Sequence, residues 1–143
     1  MLTADTSFIF SFYGADVNTA AAKARLQQRA EVLVLSALHR FEFANALRLA
    51  VFRGMLAQAE AERRLADLDA DVAAGLVSLM ALDLDSLLRR AESLSAKHTM
   101  TQGQRSMDVL LVAAASEFNA TDFLSFDERQ RTLTTAEGLA VGP

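Results

Sequence analysis

Short aliphatic runs alternate with longer stretches of helical periodicity along this chain. Met1 to Ala4 is a brief, mostly apolar run, and the following Asp5-Thr6-Ser7 reads as the polar end of a buried strand. Val17 to Arg29 is rich in Ala, Gln, Lys and Arg and predicts an amphipathic helix with a charged outer face. Val32-Leu33-Val34-Leu35 is a continuous aliphatic run, as expected of a strand covered on both faces. Ser36 is placed to cap a helix reaching about Arg53, with Gly54 in the terminating position. A second long helix fits Ala57 to Ala74, stopped by Gly75, and Leu76 to Leu82 supplies a third strand. Asp83 and Asp85 open a helix from Asp83 to Lys97. His98 to Arg105 is polar and predicts a loop, after which Ser106 caps a helix reaching Asn119. Asp122 to Phe126 is a short fourth strand, Asp127 to Ala136 a helix ended by Gly138, and Leu139 to Val141 a last short strand.

This repeated βα order predicts an α/β fold: a three-layer α/β/α sandwich around a central parallel sheet of four to five strands, with right-handed crossovers. Ligands of such sheets bind beyond the carboxyl ends of the strands. No internal repeat, low-complexity tract or linker interrupts the pattern, and Pro143 is the only proline, so residues 1–143 are expected to form one domain.

Composition narrows the chemistry. With 52% hydrophobic and 22% charged residues the chain sits far from the disordered range. The absence of cysteine excludes disulfides, thiolate nucleophiles and zinc–sulfur sites, and makes the cytoplasm the default compartment. Met-Leu-Thr-Ala-Asp is the wrong start for a signal peptide. The longest clean apolar run, Val109 to Ala115, falls far short of the ~20 residues a membrane helix needs, so no membrane association is expected. A net charge of −4 argues against a generally basic nucleic-acid surface. It does not exclude a nuclease: 12 of the 14 basic residues are Arg, the better bidentate partner for phosphate.

Four carboxylates stand out against this background. Asp5 directly follows the first strand, where the crevice should form, although an Asp there also suits a turn. Glu42 falls within ~60° of Leu38, Asn45 and Leu49 on a helical wheel, putting a carboxylate on an apolar stripe. An unpaired buried carboxylate costs several kcal/mol, so Glu42 needs either a metal or an arginine, and Arg40 and Arg48 flank that face. Asp108 lies in the first turn of the Ser106 helix, where the macrodipole favours an acid by ~0.3–1 kcal/mol. Its helical neighbours Leu111, Val112 and Ala115 are apolar, so capping and ligation both stay open. Asp127 opens a helix just after a strand; Asp122 competes with it but belongs at the opposite end of that strand. The set's weight lies in its placement, three acids at the end where sites form and one interrupting a core stripe. Oxygen donors without His or Cys suit hard divalent cations, and the natural task for such a site is phosphodiester hydrolysis.

At these residues the chain resembles a PIN domain, and more narrowly a VapC-type toxin ribonuclease of a toxin–antitoxin pair. The resemblance runs over nearly the whole chain. It is carried by Asp5-Thr6-Ser7, by Glu42 with Asn45 one turn on, by Arg105-Ser106-Met107-Asp108 with its Ala-rich continuation, and by Phe123-Leu124-Ser125-Phe126-Asp127-Glu128-Arg129-Gln130. It implies a PIN-like fold in which Asp5, Glu42, Asp108 and Asp127 are the catalytic and metal-binding set for one or two Mg²⁺ or Mn²⁺ ions. Ser7, Asn45 and Ser125 would support them, position 125 being more often Thr in the family. A metal-dependent endoribonuclease acting on single-stranded or looped RNA follows, with Arg40, Arg48, Arg105, Arg129 and Arg131 as candidate substrate contacts. His98, Thr99, Gly103 and Arg105 resemble the segment before the third acid in one branch of the family; His98 is not needed as a base beside a metal-bound water. The family also implies a cognate antitoxin, and a homodimer that would cover the apolar helices between residues 57 and 97.

Rival readings are a non-toxin PIN nuclease in RNA processing, a DNA-cleaving relative, and a non-enzymatic α/β module with an acidic pocket, such as a receiver domain. A receiver domain wants a late lysine, whereas the only lysines here are Lys23 and Lys97. A haloacid-dehalogenase-like phosphatase needs Asp-x-Asp after the first strand, and this chain has Asp5-Thr6-Ser7.

Overall fold

The structure, a computed structural model, describes residues 1–28 and 31–143. Along the chain run β1 (Leu2–Ala4), α1 (Thr6–Phe12), α2 (Thr19–Gln28), β2 (Leu33–Leu35), α3 (Ala37–Phe52), α4 (Gln58–Ala73), β3 (Val77–Leu79), α5 (Leu84–Gln102), α6 (Ser106–Glu117), β4 (Asp122–Leu124), α7 (Glu128–Ala136) and β5 (Ala140–Gly142). The strands form one sheet in the order β3-β2-β1-β4-β5, every neighbouring pair parallel. The chain winds outward from β1 through β2 to β3, then returns to place β4 on the other side of β1. That reversal makes a switch point, and a crevice is expected at the carboxyl ends of β1 and β4.

Alternation along the strands feeds two cores. Leu33, Leu35 and Leu124 face a layer containing Phe8, Ile9, Phe43, Leu47 and Leu68. Val34 and Phe123 face the opposite layer, with Leu87, Leu94, Leu111, Val112 and Leu133. The sheet is thus buried on both faces, which is why its strands read as aliphatic runs. In α6, Ala113, Ala114 and Ala115 are each 0% exposed, small side chains suited to a fully buried helix. No helix among the described residues is long and apolar enough to cross a membrane.

Several boundaries differ from the sequence reading. Thr6 and Ser7 belong to a helix, not to a strand end, and residues 8–12, which the pattern leaves unassigned, continue it. The aromatic run Phe8-Ile9-Phe10 has weak helix preference of its own. Burial of Phe8 and Ile9 and a cap from the Asp5 carboxylate to the Phe8 N–H (2.9 Å) override it. Residues 98–102 are helical as well, since α5 runs on to Gln102 and stops at Gly103, whose φ of 63° a glycine adopts without strain. The reason is tertiary: His98 is buried and its Nε2 lies 2.7 Å from Glu137 Oε1. The third strand is only Val77–Leu79, the fourth ends at Leu124, and the helix expected from Val17 starts at Thr19. Arg29, its expected end, lies outside the described residues.

Candidate functional site

Asp5 is the best-anchored acid in the crevice. It follows β1, is 4% exposed, and caps α1. Its Oδ1 accepts from the Phe8 N–H (2.9 Å) and the Ser7 hydroxyl (2.7 Å), and its Oδ2 accepts from the Ser125 hydroxyl (2.6 Å). The two serines also stitch β1 to the turn after β4: Ser7 Oγ accepts from the Phe126 N–H (2.9 Å) and Ser125 Oγ from the Asp127 N–H (3.0 Å). Each hydroxyl therefore fixes the Asp5 carboxylate with its proton and a backbone amide with its lone pair.

The other acids come from three separate helices. Glu42, half-buried on α3, accepts from the Thr6 hydroxyl. Asp108 sits in the first turn of α6, half-buried, and its backbone carbonyl accepts from the Gln130 side-chain amide (3.0 Å), tying the start of α6 to α7. Asp127 caps α7, its Oδ1 accepting from the N–H groups of Arg129 (2.8 Å) and Gln130 (3.3 Å).

Electrostatics links the four. Burial raises the Asp5 carboxyl above its ordinary value, the Asp127 charge adds to this, and the hydrogen bonds from Ser125, Ser7 and Phe8 only partly offset it. Glu42 is raised by burial, then by the charges of Asp5 and Asp108, against the Thr6 hydrogen bond. Asp108 is raised by burial, then by Asp127, while Arg105 and Arg129 pull it down. Asp5, Glu42 and Asp108 thus each feel at least one other acid of the set. As the side chains stand, no three His, Asp or Glu groups among the described residues are gathered closely enough to hold a metal ion. The chemistry of the donor set, all carboxylate oxygen under mutual repulsion in a half-buried crevice, nevertheless fits a hard divalent cation.

The raised carboxyls have a consequence for the metal-free protein. A group whose folded-state pKa is raised takes up its proton in the folded chain first, so it adds stability as pH falls. His39 works the other way, since its fully buried ring is held down to about 3 and the unfolded chain takes up that proton first. The readout in chelator is therefore a comparison: the urea midpoint of wild type should gain on that of Asp5→Asn as pH is lowered from neutral toward the ordinary carboxylate range. The gain ends there, because the unfolded chain's carboxyl then takes up its proton as well. A difference between the two midpoints that does not change from pH 7.5 to 5.5 would contradict the raised Asp5 carboxyl.

The remaining candidates scatter more. Arg40 pairs with Asp69 through two hydrogen bonds (2.9 and 2.8 Å), so it does not neutralise Glu42. Arg48 is exposed beside a hollow between α3 and α4 lined by Leu47, Val51, Gln58 and Leu65. Arg131 Nη1 donates to the carbonyls of Ser125 (2.8 Å) and Pro143 (3.0 Å), a structural clasp of the strand ends. Arg105 and Arg129 are exposed, and their charges reach Asp108. Asn45 is exposed, and Leu49 is 38% exposed, so the stripe around Glu42 is the rim of the buried face, whose centre is His39, Phe43, Leu47 and Ala50. His98 is buried against Glu137 and Gln102, away from the acids' couplings. Asp122, on β4, is 3.3 Å from Arg25. Thr6 was not singled out by the sequence; as the neighbour of Asp5 in the first turn of a helix, it can be found only once that helix is known.

The sequence pattern of the PIN domain matches residues 3–135. No curated protein matches the sequence. Among solved structures, VapC20 of Mycobacterium tuberculosis, described as a sarcin-ricin loop cleaving toxin, is 18% identical with a TM-score of 0.71, covering 98% of this chain and 97% of its own. FitAcB from Neisseria gonorrhoeae is 16% identical with a TM-score of 0.67, covering 100% of this chain and 97% of its own. At these identities the likeness is one of fold.

Proposed function

The chain belongs to the PIN-domain family, and from that membership we propose that it is a metal-dependent endoribonuclease hydrolysing RNA phosphodiester bonds, the toxin of a VapBC-type toxin–antitoxin pair, with residues 1–143 as one nuclease domain. One observation supports the reading: acids from four separate segments bear on one another electrostatically, and Asp5, Glu42 and Asp108 are raised above their ordinary values by burial and by charges within the set. Structural use explains part of the set, since Asp5 and Asp127 cap helices, but hydrogen bonds and the two arginines offset the burial and repulsion only in part. Asp5, Glu42, Asp108 and Asp127 would hold Mg²⁺ or Mn²⁺, which when bound activates water and offsets phosphate charge. Ser7, Ser125 and Thr6 hold the carboxylates in place; Arg105 and Arg129, next to Asp108, supply fixed positive charge for a phosphate.

Purified protein should cleave RNA oligonucleotides in Mg²⁺ or Mn²⁺ and lose that activity in chelator. Cleavage that persists in chelator overturns the reading, and cleavage of single-stranded DNA in preference to RNA points to a DNA-acting relative. The fold shared with VapC20 supports the toxin assignment, which predicts growth arrest on expression and relief by a cognate antitoxin. A homodimer is supported by the exposed Leu76, Met80, Leu84 and Leu88 around β3 and the start of α5. Sedimentation of the purified chain as a monomer at micromolar concentration would remove it.

A further inference from the structure

Gln130 holds two of the acids at once. It lies in the first turn of α7 and is 1% exposed. Its backbone N–H donates to Asp127 Oδ1 (3.3 Å), and its side-chain Nε2 donates to the Asp108 carbonyl (3.0 Å). Its own carbonyl accepts from the Thr134 hydroxyl (2.7 Å), and Leu133, three residues on, is buried in the same layer as Leu111 and Val112 of α6. From that fixed base one residue grips the carboxylate of Asp127 and the backbone of Asp108.

The fold does not require the side-chain bond. The Asp108 carbonyl lies inside α6, where a helical carbonyl already accepts from the N–H four residues on, so the Gln130 amide brings it a second donor. In making that bond the amide leaves its Oε1 buried with no partner among the described residues. Turning the amide over would set oxygen against oxygen at Asp108, so a flip does not cure the orphan. A buried acceptor left unpaired is destabilising, and an apolar side chain of the same length would avoid it. What the amide supplies instead is a tether between two acids that repel, since the Asp127 charge bears on Asp108.

We propose that Gln130 is a positioning residue of the metal site, its amide fixing the start of α6 against α7 so that the Asp108 and Asp127 carboxylates reach the same divalent cation. It touches neither the cation nor the substrate. The inference rests on the nuclease reading above and deepens it.

The test compares the full chain with Gln130→Met, which keeps the length and loses the amide, and with Gln130→Leu, which loses the amide in another shape. Mn²⁺ affinity is read by calorimetry, stability by the urea midpoint in chelator, and activity by RNA cleavage in Mn²⁺. Both variants should bind Mn²⁺ about 10-fold more weakly, the lower end for a group that orients a ligand from behind. At saturating Mn²⁺, kcat should fall by about the same factor while KM for RNA stays within about twofold. The metal-free midpoint of Gln130→Met should stay level or rise, an outcome that a merely structural role would not give. Mn²⁺ affinity within about twofold of wild type in both variants, or a loss of affinity matched by a loss of midpoint in both, overturns the assignment and leaves the nuclease intact. A wild-type chain that binds Mn²⁺ and shows the expected loss in both variants, but cleaves no RNA, supports the tether and removes the nuclease. Absence of Mn²⁺ binding by wild type overturns the metal site and the tether with it.

Discussion

Replacing Asp5 by Asn is expected to lower RNA cleavage by at least about 100-fold, the upper end of what losing even a supporting partner of a metal ligand costs. The substitution keeps the shape of the side chain, and its one remaining oxygen can still accept from Ser7 and the Phe8 N–H while the new NH2 donates to a reversed Ser125 hydroxyl, but it removes the charge on which cation binding depends. Folding should not suffer. Burial raises the Asp5 pKa, so at neutral pH its charge is a net burden on the metal-free fold, and Asn relieves it. The expected signature is therefore a divided one: metal affinity measured by calorimetry and kcat/KM both fall, while the metal-free unfolding midpoint stays level or rises. Asp108→Asn should behave alike, since burial and Asp127 raise its carboxyl too. Cleavage within about threefold of wild type in both variants would remove these acids from the active centre.

In the sequence the acids stand out by joint placement, since ordinary turn and capping roles suit Asp5, Asp108 and Asp127 one by one and only Glu42 interrupts an apolar stripe. The aliphatic runs before Ser36 and around Phe123 announced buried parallel strands, and βα alternation then placed Asp5 and Asp127 at the carboxyl edge of the sheet; that β1 and β4 are neighbours is seen only in the structure. What pattern reading could not supply was contact between distant segments. Arg40 looks like a partner for Glu42 on a wheel, yet it pairs with Asp69, because α4 packs against α3 and brings that carboxylate to it. The Thr6 hydroxyl takes up Glu42 instead. Likewise α1 was hidden because Phe8-Ile9-Phe10 resembles a strand locally, and α5 ran past its expected end because His98 has a partner on the distant α7 boundary. In both cases burial against another element outweighed intrinsic propensity.

Phe8→Ala is expected to destabilise the fold by about 3–5 kcal/mol, the cost of a large buried aromatic lost to a cavity. Phe8 is 0% exposed and lies near-parallel to two rings, Phe126 at 5.8 Å and Phe12 at 6.4 Å. Phe126 belongs to the turn that carries Asp127, so the pair packs the segment after β1 against the segment after β4. Ser7 makes the same junction in hydrogen bonds, and Asp5 ties down the Phe8 N–H within it. One buried aromatic contact thus sets the spacing of two acids that stand 122 residues apart in sequence. Urea unfolding should show the full loss in midpoint, with Phe8→Leu losing much less because most of the volume remains. The two variants then separate the causes of inactivity: Asp5→Asn removes chemistry from a stable protein, and Phe8→Ala removes stability with the acids all present. A loss below about 1 kcal/mol for Phe8→Ala would mean that the junction is held by the serine hydrogen bonds alone, and that the aromatic stack merely fills space beneath them.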